Sequence, residues 1–139
     1  MGHAKLVTKW AGWAPQIGSL LRIVAAFMFI LAGATKLFAF PIAAMPGGGT
    51  VRFASQLGIG AVLEVFGGAL LLVGLFTRPV AFLLAGEMAV AYFQFHWKFQ
   101  MDSHVFPAVN QGELAALYSF VFLFIACRGG VKWCLDKTK

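Results

Sequence analysis

The chain has 139 residues, 60% of them hydrophobic and 12% charged, with a mean hydropathy of +0.83 and a formal charge of +6. That length suits one domain, and the apolar excess argues against an ordinary soluble fold and for membrane helices of about 20 residues each. The basic balance does not point to nucleic acid, because apolar runs split the eleven Lys and Arg residues into small groups without a basic stripe or a base-stacking module.

The first predicted span covers residues 18–40. Arg22 and Lys36 bracket its centre and are expected just inside the two interfaces, reaching towards the headgroups. Lysines ahead of an apolar run, with Ala-Gly-Ala at 32–34, also fit a signal peptide. The apolar sequence continues through Phe38 and Phe40, which favours a retained span. Pro41, Pro46 and Gly47–Gly49 then break any helix, so residues 40–52 form an apolar, Pro/Gly-rich outer loop lying in the interface or dipping into the bundle.

A second span is predicted over 53–76 and contains Glu64. Thr77-Arg78-Pro79 makes a tight connection, with Pro79 suited to the first turn of a third span over 79–97 that carries Glu87. An aromatic connection follows from Tyr92 to Pro107. The fourth span covers 108–127, with Glu113 near its start, and a basic tail ends the chain. The expected architecture is all-α: an integral membrane four-helix bundle in one domain. The Lys and Arg bias orients it. With both termini inside, Lys5, Lys9, Arg22, Arg78, Arg128, Lys132, Lys137 and Lys139 lie on the inner side, against Lys36, Arg52 and Lys98 outside.

Three of the five acidic residues sit inside apolar runs: Glu64, Glu87 and Glu113. A carboxyl at the bilayer centre costs about 2.5–3.5 kcal/mol on insertion scales, so such residues face a bundle interior, find partners or line a polar path. Glu64 lies about 15 Å into its span. Gly60, Ala61, Gly67 and Gly68 share its face and permit close helix contact. Two readings stand for it, a bond that locks the bundle and a ligand or proton contact. Glu87 falls at a similar depth, with Gln94 seven residues on along the same face. Lys36 and Glu113, both near outer span ends, are expected ion-pair partners. Asn110 caps the fourth helix or meets a ligand. The aromatic residues around His96 read first as an interfacial belt. They would also suit a flat apolar ligand such as a quinone, with His96 or a Glu as proton partner. His96 and His104 have no metal-ligand spacing, so no metal is expected. Cys127 and Cys134 lack the CxxC spacing of a redox pair.

Several pieces resemble DoxX-like membrane proteins. They are Leu21-Arg22 through Gly33 to Lys36-Leu37-Phe38, then Leu63-Glu64-Val65-Phe66-Gly67-Gly68 with Gly74-Leu75-Phe76-Thr77-Arg78. Asn110-Gln111-Gly112-Glu113-Leu114 and the ending Gly130-Val131-Lys132-Trp133-Cys134-Leu135-Asp136 complete the set. Cys134 stands where Ser is common. The resemblance implies a four-helix protein of the bacterial inner membrane. Members look like the small subunit of a thiosulfate:quinone oxidoreductase, or like membrane partners of enzymes handling oxidative and thiol stress. Fold alone does not assign the reaction.

The leading expectation is a membrane subunit of quinone-linked redox metabolism, binding a quinone or similar apolar ligand. Glu64, Glu87 and Glu113 would contact it, Lys36 and Arg22 would balance charge, and Asn110, Gln94 and His96 would lie nearby. Electrons would come from a soluble or membrane redox partner, and a homo-oligomer is compatible. The rivals are a non-catalytic anchor for a soluble redox enzyme and a small solute transporter.

Overall fold

The computed structural model describes residues 2–137, with residues 3–5 as backbone only. Of the eight cations assigned to the inner side, Lys139 and the Lys5 side chain lie outside the described residues. The described chain is helical: α1 (Gly2–Phe38), α2 (Gln56–Val73), α3 (Thr77–Ala91), a π-helical segment (Tyr92–Trp97), a 3-10 turn (Ser103–Val105), the short α4 (Pro107–Asn110) and α5 (Glu113–Arg128). α1 and α2 are long and apolar enough to cross a membrane, over Leu6–Phe38 and Gln56–Val73.

α1 begins well before the expected start at residue 18. Its 37 residues extend about 55 Å at 1.5 Å each. Pro15 sits within it and removes one backbone donor, yet the helix continues. There Arg128 donates to the Ala14 carbonyl at 2.7 Å and lies so close to Gly18 that an added Cβ would meet its guanidinium at 2.8 Å.

α1 and α2 pack antiparallel through small residues. A Cβ at Gly33 would stand 2.7 Å from the Ala61 carbonyl oxygen, and one at Gly68 would stand 2.7 Å from Ile30. α3 packs mainly on α5, where Ser119 donates to the Ala85 carbonyl at 3.0 Å. The shared core is formed by Ala25, Ala26 and Phe29 with Leu71, Leu84, Met88, Phe122 and Ile125. The Phe29 and Phe122 rings meet edge-on at 4.8 Å.

The connections follow local chemistry. Residues 39–55 fold back over the end of α1. There Val51 N donates to the Lys36 carbonyl at 2.9 Å, and the buried Val51 side chain joins Leu37 and Ala61. Ser55 caps α2 by accepting from Gly58 N at 3.1 Å. Gly74, at φ 68, ends α2 in the left-handed region, with Leu75 N bonded to the Leu70 carbonyl at 2.9 Å. Two expected spans differ from the helices observed. The third runs on beyond α3 as a π-helical segment, and the fourth is interrupted at Gln111 (φ 58), which leaves α5 with 16 residues.

Candidate functional site

At the end of the molecule formed by the C-terminus of α1 and the N-terminus of α2, two expected site residues meet. The Lys36 ammonium lies 2.5 and 2.7 Å from the two Glu64 carboxylate oxygens. Glu64 is 3% exposed, so its charge depends on this partner. The expected Lys36–Glu113 pair does not form. Glu113 occupies the exposed first turn of α5, where a carboxylate suits the positive end of the helix dipole. Similar depth along two helices does not put two side chains on facing sides.

Glu87 enters the same neighbourhood from α3. Its Oε1 lies over Gly60 of α2, 3.1 Å from where a Cβ would stand, and its Oε2 is buried without a hydrogen-bond partner. Buried polar atoms almost always find partners, so this oxygen marks a place where a polar partner fits. Lys36, Glu64 and Glu87 line one wall of a cavity of about 1100 Å³ between the long helices. Most of its surface is apolar, from residues such as Leu63, Phe82, Met88 and Ala115. His96 and Tyr118 add polar groups.

The rim nearest the aromatic connection is knitted by polar bonds. Gln56 donates to Gln94 across from α2 to the π-helical segment. Asn110 is 8% exposed and fully engaged. It donates to the His104 carbonyl at 2.8 Å and accepts from Gly112 N at 2.7 Å, so it closes the turn between α4 and α5 and does not cap α5, whose N-cap is Gly112. His96 Nδ1 lies 3.3 Å from the Asn110 carbonyl oxygen. Gln94 itself is exposed, away from the Glu87 wall. The wider π-helical turn explains this: seven residues no longer return the chain to the same face.

Arg22 belongs elsewhere. It does not reach towards a headgroup layer. It is 1% exposed at the opposite end, where it donates to the carbonyls of Leu71, Leu72 (2.9 Å), Lys132 (3.2 Å) and Trp133 (2.6 Å). It therefore ties α1 to the end of α2 and to the C-terminal tail. In the same tail, Asp136 accepts from Phe76 N at 2.7 Å and Thr77 N at 2.8 Å, capping α3. Burial pushes the Asp136 carboxyl up, but the hydrogen bonds from Thr77 and Phe76 and the nearby Arg22 charge outweigh it and hold the group below the usual aspartate range.

Two site residues, Gln56 and Tyr118, had no place in the sequence reading. Tyr118 is one of only two tyrosines in the chain and sits within the apolar fourth span, a usable signal. Its ring stacks on Phe122 at 5.4 Å and tilts against Phe29. Among the described residues, no three His, Cys, Asp or Glu side chains come together as metal ligands. Cys127 is exposed, Cys134 is half-buried, and both are free thiols.

The DoxX family model matches residues 18–97. The chain belongs to the DoxX family. It is similar to an uncharacterized protein of Haemophilus influenzae, with 44% identity over 124 residues, 89% of this chain and 91% of that protein. No solved structure matches. The family is one of membrane proteins, which agrees with the two candidate spans. The stretch matched to DoxX carries Lys36, Glu64, Glu87 and His96, whereas Tyr118 on α5 lies beyond it.

Proposed function

We propose that this DoxX protein is a membrane subunit of quinone-linked redox or thiol-stress metabolism, and that it binds a quinone or similar apolar ligand in the cavity beside Lys36, Glu64 and Glu87. The observation that carries the reading is the buried, unpartnered Oε2 of Glu87 at the wall of an otherwise apolar cavity of about 1100 Å³. Small-molecule sites typically combine apolar walls with a few convergent polar groups. A quinone presents flat apolar faces to such walls and carbonyl oxygens to proton donors. Its reduction takes two electrons and two protons. The electrons would come from a partner redox enzyme, while Glu87 and the Lys36–Glu64 pair hold protons near the carbonyls. In this reading α1, α2, α3 with its π-helical extension, and α5 form one domain of four spans in the bacterial inner membrane, with both termini in the cytoplasm.

The test is binding of a decyl-tailed benzoquinone to the purified protein in lipid nanodiscs, with thermal stability followed in parallel. Saturable binding by the wild type is expected. Glu87→Gln should stay folded yet weaken binding by about tenfold, the scale of one good hydrogen bond to a charged or acidic group. Absence of wild-type binding, or undiminished binding by Glu87→Gln, would overturn the proposal.

A further inference from the structure

We infer that the ligand enters this cavity sideways from the bilayer, between α2 and α3, and is a lipid-dissolved molecule whose tail remains among the acyl chains. The inference rests on the ligand-binding reading above and adds to it the route and the class of tail.

α2 and α3 pack closely at Gly67 and Leu84, beyond the residues that line the cavity. A Cβ on Gly67 would lie 2.8 Å from Leu84, so the helices are in full contact there. Towards the Lys36 end, small residues open the seam. Gly60 leaves room for the Glu87 carboxylate, and Gly86 has no heavy atom within 4 Å of where its Cβ would stand. Both line the cavity. The side chains flanking this opening are apolar and face outwards: Ile59 is 56% exposed, Phe82 66% and Leu83 53%. On helices of a membrane protein such residues meet lipid, so the cavity surface continues without a polar barrier into the lipid-facing surface.

The aqueous end is differently built. There Gln56 bonds to Gln94 of the π-helical segment, and His96 and Asn110 are held to the neighbouring loop by the bonds already described. This end presents polar, hydrogen-bonded groups, whereas the seam beside Gly86 presents only apolar side chains to a molecule diffusing in the hydrocarbon. Polar groups at the inner end of the slot and lipid at its outer end together select an amphiphile: a polar ring against Glu87, with an alkyl or isoprenoid-like tail leaving beside Gly86.

The test compares two probes, a decyl-tailed dimethoxybenzoquinone and the same ring without the tail, on wild type and Gly86→Leu in nanodiscs. Open space at Gly86 allows the larger side chain, and the leucine fills the tail exit. Gly86→Leu should weaken the decyl probe by at least about tenfold, equivalent to losing about two buried methylenes, and the tail-less ring far less. Gly86→Ala should give a smaller loss in the same order, and it preserves the comparison should the leucine variant fold poorly. Unchanged decyl binding in Gly86→Leu, or equal losses for both probes, would overturn lateral entry while leaving the binding site intact. Failure of the wild type to bind either probe would instead remove the site itself.

Discussion

At the scale of single residues, the Lys36–Glu64 pair is the most consequential contact. Removing one partner leaves the other charge buried or half-buried, at a cost of about 3 kcal/mol, the lower end of the range for broken buried pairs because the Lys36 side chain is 28% exposed. Glu64→Leu and Lys36→Met should each lower thermal stability in detergent, Glu64→Gln should cost less, and the Glu64→Leu/Lys36→Met double variant should recover part of the loss. Equal, additive losses in that cycle would show that the two side chains do not interact. The burial of Glu64 was legible in the sequence, since four small residues share its face. The identity of its partner was not. Sequence spacing gives depth along each helix but not which faces oppose, and on depth alone Lys36 pairs with Glu113. Arg22 escaped for a related reason. Its partners are backbone carbonyls of Leu71, Leu72, Lys132 and Trp133, and every residue has one.

At the scale of elements, the existence and order of the long helices followed from their apolar runs, and the break at Pro41–Gly49 followed from turn chemistry. The turn before α3 instead falls at Gly74–Phe76, ahead of the expected Thr77–Pro79 connection, which forms the first turn of α3. Irregularities within helices did not. The π-helical segment Tyr92–Trp97 and the left-handed Gln111 carry no glycine or proline to announce them, and together they displace Gln94 from the Glu87 face and shorten the last helix. The C-terminal tail, expected only as a basic extension, instead returns to cap α3. Asp136→Asn should keep the fold but weaken that cap, by about 1 kcal/mol on the scale of helix N-caps. The pH dependence has a definite sign. The Asp136 pKa is lowered in the folded protein, so its contribution is present above the ordinary aspartate pKa and is lost as pH falls through the folded value. Proteolysis of the tail should therefore be unchanged in mild acid and rise only below about pH 4 in the wild type, and Asp136→Asn should show that higher susceptibility already at neutral pH. A tail equally resistant at both pH values in both proteins would exclude the capping role.

At the scale of the whole molecule, the helical, membrane-type character was plain from composition, and the cavity was not. It is lined by residues of α1, α2, α3, the π-helical segment and α5 together, an opening that no single helix reveals. The proposed topology predicts that a reporter fused after Lys139 is active in the cytoplasm, while one inserted within Gln100–Ser103 reports the outer side. Reversed activities would refute the orientation. The central claim, that the Glu87 cavity is a ligand site, is met most directly by photoaffinity labelling. An azido-substituted benzoquinone with a decyl tail is activated on the protein in nanodiscs, and the labelled peptides are mapped by mass spectrometry. Labelling concentrated on Gln56–Leu63 and Phe82–Ala91, and suppressed by excess unmodified quinone, is the predicted result; label spread along lipid-facing α1 and indifferent to competitor would contradict it.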